Sequence, residues 1–326
     1  MRVARLHGIG DLRLSDEPAP SPTPGHTLVQ VTAVGICGSD LHWYAEGGIG
    51  DSRLDRPLVP GHEMAGVTLD GTLVALDPAT PCHACDMCRA GHHNLCPYIK
   101  FAGHDTNDGG LRECVAWPDA QLVRLPKELS AADGAMLEPL GVAVHAMDLA
   151  HPRPGMTVAV SGCGPIGLLL VQLARACGAS YVLAADPLAH RRAEAKRLGA
   201  DEVQAAVTDG RPPGLGVDIA FEVAGTDDAV EESLAVARPG ARVMLVGIPS
   251  TDRTSFPAAL ARRKGLTLAM VRRMGDVYPR AAGLVARGTV DVASLVTDRF
   301  PLDRAEDAFR QAATRSGVKT IIEPSP

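Results

Sequence analysis

The apolar positions of this chain follow two different rhythms. Over roughly the first 148 residues, short β-like runs such as "HTLVQVTAV" and "LVALDP" are broken by Pro- and Gly-rich turns, the pattern of an irregular β-rich domain. From Thr157 to about Val271 the pattern changes: continuous apolar runs of strand length ("TVAVSG", "YVLAAD", "VDIAFEVAG", "ARVMLVGIP", "LTLAMV") alternate with helix-like stretches ("GPIGLLLVQLARACGA", "AHRRAEAKRLGA", "DAVEESLAVARPG") that end in Gly. Strands apolar on both faces, separated by helices, predict a doubly wound parallel sheet. The tail carries a helical run, "YPRAAGLVARG", and then "RFPLDRAEDAFRQAATRSGVKTIIEP", which reads as strand, helix, strand. It is too short to form a domain alone. The expected division is a β-rich domain over residues 1–150, an α/β domain over 151–271, and a return to the first over 272–326, with "PRPGMT" at 152–157 as the crossing point.

Composition narrows the class. A chain of 326 residues with 46% hydrophobic content can bury more than one core. A net charge of -6 and a pI near 6.0 offer no general attraction for nucleic acid or an anionic membrane. The chain has no run of eighteen uncharged apolar residues and starts without the apolar core of a signal peptide. A cytoplasmic protein acting on small molecules is the expectation.

Four of the eight cysteines fall within fifteen residues, in "PCHACDMCRAGHHNLCP". Cys82, Cys85, Cys88 and Cys96 give C-x2-C-x2-C-x7-C, a spacing with which four thiolates can wrap one zinc ion and leave no open site. An iron–sulfur cluster or a pair of disulfides are the other readings of the spacing. With the tetrahedron filled by sulfur, His83, His92 and His93 are read as surface residues.

In "SGCGPIG", Gly162, Gly164 and Gly167 form G-x-G-x-x-G after a strand and open an apolar helix with Pro165 and Ile166. Such a loop brings free N–H groups and the positive end of a helix dipole to a pyrophosphate. Asp186 ends the next strand nineteen residues after Gly167, where an acid can accept from a ribose 2′-OH and repel a 2′-phosphate. NAD is favoured, although Arg191 and Arg192 stand close enough in sequence to meet a phosphate. Helix capping is the bland role for Asp186, and it is compatible with the other.

A third group is scattered: Cys37, Ser39, Asp40 and His42 in "GICGSDLH", His62 and Glu63 in "PGHEMAG", and Glu138 in "MLEPLGVAVHA". Cys, His and Glu suit a catalytic zinc with three protein ligands and one open position. Spacing alone does not assemble them.

Taken in order, "GICGSDLH", "PGHE", the four-cysteine lobe, "DGGLRECV", "LEPL", "GCGPIG" and "RFPLDRAEDAF" resemble the zinc-containing medium-chain alcohol dehydrogenases over nearly the whole chain, and within them the sorbitol (polyol) and threonine dehydrogenase branch. The resemblance implies an α/β fold: a Rossmann domain plus a GroES-like catalytic domain carrying a structural zinc lobe at residues 81–97. It implies two zinc ions per chain, NAD, an alcohol substrate and a homodimer or homotetramer.

By the same resemblance Cys37 and His62 are catalytic zinc ligands, with Glu63 or Glu138 as the third and Asp40 orienting His62 from behind. Ser39 and His42 form the proton relay, and Arg273 or the adjacent Arg272 contacts substrate; Arg191 is counted with the cofactor site only for its nearness in sequence to Asp186. The chain departs from the family in the shortened hairpin "TLDGTLVALDP" and in the link "AAVTDGRPPGLGVD", which lacks the usual helix. Rival readings are a threonine-type amino-alcohol dehydrogenase and a non-catalytic protein that keeps zinc and NAD for binding alone.

Overall fold

The computed structural model describes residues 1–325. Its contacts divide the chain into two units, Met1–Pro139 with the tail from Gly275 onward, and Leu140–Met274. The junction thus lies about a dozen residues before the Pro- and Gly-rich turn, because the helix Leu137–Ala150 runs unbroken through it.

In the first unit the strand His26–Gly35 is the hub. Its alternating apolar residues, Val29 and Val31 among them, bury one face into a core with Val115, Met64, Leu76, Trp43 and Phe309. It pairs antiparallel with Cys114–Pro118, Glu63–Thr68 and Lys319–Glu323. Two of those registers meet at one residue, since Gly35 is opposite Glu63 on one side and Ile321 on the other. The tail forms strand Val296–Pro301, helix Ala305–Ala313 and strand Lys319–Glu323, the two strands parallel. The final strand thereby joins the sheet built by the first part of the chain.

The second unit is a six-stranded parallel sheet in the order Glu202–Gln204, Tyr181–Ala185, Thr157–Ser161, Val217–Glu222, Ala237–Leu245, Thr267–Met270. The order reverses beside Thr157–Ser161, the switch point at which such sheets bind nucleotides. Two elements carry no sequence signal. Glu202–Gln204 is only three residues long, and the helix Ala258–Lys264 buries no residue and so has no apolar stripe to read. The helix Asp227–Val236 ends before "ARPG", which enters the following strand, because Pro239 cannot continue a helix. The link before Val217–Glu222 holds only the short 3-10 turn Val207–Asp209.

Candidate active site

Three candidate metal donors, all from the first fifth of the chain, converge beside a lysine from its far end. Cys37 precedes the helix Gly38–Glu46, and His62 and Glu63 lie where the strand Glu63–Thr68 begins. Donor atoms of Cys37, His62 and Glu63 all fall within 4.8 Å of one another. Glu138, the alternative third ligand, stands outside this set.

Asp40 holds the two segments together. It is buried, and one carboxylate oxygen accepts from the Cys37 N–H at 2.9 Å while the other accepts from the Gly61 N–H at 3.1 Å. The second oxygen also lies 3.6 Å from Nδ1 of His62. Burial pushes the Asp40 carboxyl up, but the His62 ring and the two N–H groups outweigh it and hold it below the usual range. The reciprocal effect raises His62 well above its ordinary value: burial works against the charged ring, and Asp40 and Cys37 overcome it. Nδ1 of His62 is buried without a hydrogen bond of normal length and faces Asp40 across that 3.6 Å gap. A ring braced by a carboxylate at Nδ1 beside a thiol and a second carboxylate is a donor set whose chemistry fits a zinc ion with a fourth position open.

One participant is absent from the sequence reading. Lys319 is buried, and its ammonium donates to both oxygens of Glu63 at 2.7 Å and to the Ile36 carbonyl at 3.0 Å. Burial lowers the affinity of Lys319 for its proton, and Glu63 more than restores it. Gly35 makes room for this pair: a Cβ there would sit 1.9 Å from Oε2 of Glu63. The available signal was a lone lysine in the apolar strand "VKTIIEP", a charge that a buried strand excludes unless it is paired.

Glu138 opens the helix Leu137–Ala150 and is buried. Burial and the Glu63 charge push its carboxyl up to about 7, against the opposing pull of His62. Tyr278, also buried, donates to the Leu76 carbonyl at 3.3 Å. Ser39 and His42 share one face of the helix Gly38–Glu46, three residues apart, and Nδ1 of His42 is 3.0 Å from Oε1 of Glu46.

The four cysteines of the lobe also converge, with sulfurs within 4.8 Å of one another and Cys85 and Cys96 at 3.9 Å. Zinc–sulfur bonds of about 2.3 Å in a tetrahedron require sulfurs about 3.8 Å apart, so the spacing fits a single ion. It is too tight to enclose a cluster of several irons, and all eight cysteines are free of disulfides. N–H groups of Ala84 and Cys85 point at the Cys82 sulfur and pull its thiol down to about 6, whereas burial pushes the Cys88 thiol up to about 12. His83 and His92 are exposed as expected. His93 is not simply a surface residue: it is half-buried, with Nδ1 3.0 Å from the Asp276 carboxylate.

In the second unit Gly162 has φ +103, and a Cβ on Gly167 would meet the Gly162 carbonyl oxygen at 1.9 Å. These two glycines make the turn and the close helix–strand packing possible. A Cβ on Gly164 would meet only Arg191, at 3.8 Å, so the space above the loop is open for a pyrophosphate. Pro165 and Ile166 begin the helix Pro165–Ala176. Asp186 is buried and accepts from the Cys163 N–H and the Leu188 N–H, both at 2.9 Å, tying the glycine loop to the strand end. Arg191 approaches Asp186 at 3.9 Å, and Arg192 donates to the Asp186 and Pro187 carbonyls. Arg273, in this unit, is half-buried with φ +53, whereas Arg272 is exposed.

Two family profiles match the chain: "Alcohol dehydrogenase GroES-like domain" over residues 23–127 and "Zinc-binding dehydrogenase" over residues 165–287. Sorbitol dehydrogenase of Bacillus subtilis is 31% identical over 349 aligned positions, covering 100% of this chain and 98% of the relative. Among solved structures, L-idonate 5-dehydrogenase of Escherichia coli superposes with a TM-score of 0.92 at 29% identity, covering 99% of this chain and 97% of that one. A zinc-binding dehydrogenase of Sinorhizobium meliloti bound to NADP gives 0.90 at 31% identity, with 99% of each chain covered.

Proposed function

The chain belongs to the zinc-binding alcohol dehydrogenase family, and from that premise we propose that it oxidises a secondary alcohol of the polyol or cyclitol class with NAD and reduces the matching ketone in reverse. The observation that carries this reading is the convergence of Cys37, His62 and Glu63, three donors of the kind that leave a fourth position for substrate. A zinc ion held by them supplies Lewis-acid polarisation of a hydroxyl oxygen, and a nicotinamide supplies the hydride acceptor.

The chain's own groups do the rest. Asp40 fixes the His62 ring and both ligand-bearing segments. Lys319 pairs with both oxygens of Glu63 and offsets its charge. Ser39 would relay the hydroxyl proton, releasing its own as it accepts the incoming one, by way of the cofactor ribose to His42. Glu138 stands behind the set as a carboxyl that gains or loses a proton near neutrality.

The polyol preference is supported by relatives named for sorbitol and L-idonate. NAD over NADP is supported by the buried carboxylate of Asp186 beside the glycine loop. The four-cysteine lobe we read as the structural zinc site, and residues 1–139 with the tail as the catalytic domain.

A homo-oligomer is supported by the edge strand Thr267–Met270, where Met270 is 68% exposed and one side of the strand has no partner among the described residues. Eight free cysteines accord with the cytoplasm. Among the described residues no helix is long and apolar enough to cross a membrane.

The test is NADH production by zinc-loaded protein with sugar alcohols, cyclitols, L-threonine and 2-propanol. A polyol or cyclitol is expected to give the highest kcat/KM. L-Threonine in first place would move the assignment to the amino-alcohol class, and no turnover of any substrate by fully metallated protein would favour a binding role.

A further inference from the structure

Glu46 is the last residue of the helix Gly38–Glu46, and the final turn of that helix holds no basic side chain. A carboxylate in this place faces the negative end of the helix dipole, where helix stability alone would select a cation. Instead its Oε1 lies 3.0 Å from Nδ1 of His42, one turn earlier. An ionised carboxylate can only accept, so the bond requires the proton on Nδ1, which in the neutral ring leaves Nε2 with the free lone pair.

Other charged groups on neighbouring elements are engaged elsewhere. Arg53 donates to the Gly50 and Ser52 carbonyls, Arg310 pairs with Glu306 and Asp307 on its own helix, and Asp40 holds Cys37 and Gly61. Glu46 is therefore the side-chain partner that sets the His42 ring among the described residues.

We propose that Glu46 is a positioning residue: it holds His42 as the Nδ1–H tautomer, so that Nε2 is the atom that receives the proton leaving the alcohol. This rests on the relay role given to Ser39 and His42 under the proposed function. The bond serves the reaction rather than the fold, because a half-exposed pair at i, i+4 contributes little to stability. Removing it should leave the protein folded.

The experiment uses the zinc-loaded protein labelled with 15N-histidine, and reads the His42 nitrogens at a pH where the ring is neutral. Wild type is expected to show the Nδ1–H form. Glu46→Ala should move the ring toward the Nε2–H form that unconstrained side chains favour, while Glu46→Gln, whose amide oxygen still accepts, should keep the wild-type form. In parallel, kcat for alcohol oxidation should fall about three- to tenfold in Glu46→Ala with KM unchanged, a fraction of what a general base contributes, and recover in Glu46→Gln. An Nε2–H ring in wild type, an unchanged ring in Glu46→Ala, or a changed ring with full kcat each overturns the proposal. His42→Ala separates the two levels. Full activity in that variant removes the relay reading itself, whereas a slow His42→Ala beside an unaffected Glu46→Ala removes only the role of Glu46.

Discussion

The ammonium of Lys319 lies 2.7 Å from each carboxylate oxygen of Glu63, and both side chains are buried. Removing one member of such a pair leaves the other charge buried without compensation, which costs about 3–5 kcal/mol. Lys319→Met should therefore lower the denaturation midpoint sharply and loosen the metal set. The double variant Lys319→Met with Glu63→Leu should regain most of the stability without regaining activity. Additive losses in this cycle, measured by urea denaturation, would show that the pair does not act as a unit.

Cys37→Ala and His62→Ala should each abolish turnover and lose about one zinc per chain while the fold persists, because an open site is not part of a core. Asp40→Asn keeps the size of the side chain and removes the charge behind His62. Its expected effect is a weakening of zinc binding by about ten- to a hundredfold, as for other groups that orient a ligating ring. Metal analysis by atomic emission after dialysis against a graded chelator reads all three; unchanged zinc content in the two ligand variants defeats the assignment.

Cys85→Ser should act on folding before it acts on chemistry. The lobe has only the four-residue helix Asp86–Arg89 and the 3-10 turn His93–Leu95 for regular structure, so metal binding supplies its local folding energy. The variant should bind one zinc rather than two and melt at a lower temperature. Wild-type melting with two zinc ions retained would exclude a structural site here.

Asp186→Ser should weaken NAD binding about ten- to a hundredfold, the equivalent of roughly 1.5–3 kcal/mol for lost bonds to a charged acceptor, and improve NADP. Arg191, 3.9 Å from the carboxylate, is placed to meet the phosphate once the acid is gone. Because Asp186 also accepts from the Cys163 and Leu188 N–H groups, a moderate loss of thermal stability should accompany the switch. The readout is the ratio of kcat/KM with the two cofactors, and a ratio that does not move leaves Asp186 a purely structural role.

Glu222 offers a pH test away from both metal sets. Burial raises its carboxyl above the ordinary value, although the N–H groups of Gly225, Ala224 and Gly247 partly oppose this. A carboxyl raised in the folded state contributes stability below its unfolded pKa and loses that contribution as pH rises through the folded value. Glu222→Gln can still accept from Ala224 and Gly225 without carrying a buried charge. Its stability relative to wild type should therefore grow from acid to neutral pH, and parallel pH profiles in chemical denaturation would contradict this.

Much of this protein is legible from local pattern. The apolar runs "TVAV", "YVLAA" and "ARVML" mark strands of the second unit, Gly162 and Gly167 stand where only glycine fits, and Asp186 directly follows Tyr181–Ala185. The four lobe cysteines are neighbours in sequence, so their convergence needs little beyond a turn. Each of these features is decided within a few residues, where periodicity and backbone sterics operate. The catalytic set is different in kind. Cys37, His62 and Lys319 are brought together by the pairing of His26–Gly35 with strands from both ends of the chain, and the same register sets Glu63 opposite Gly35, within reach of the other two candidate donors. Lys319 went unread because its partner is 256 residues away, and no spacing rule reaches so far. Glu46 went unread because a glutamate at a helix end has meaning only once its distance to His42 is known. Local sequence determined the elements and the candidate chemistry, whereas long-range strand register, a property of the folded sheet alone, decided which charges share a buried site and compensate one another there.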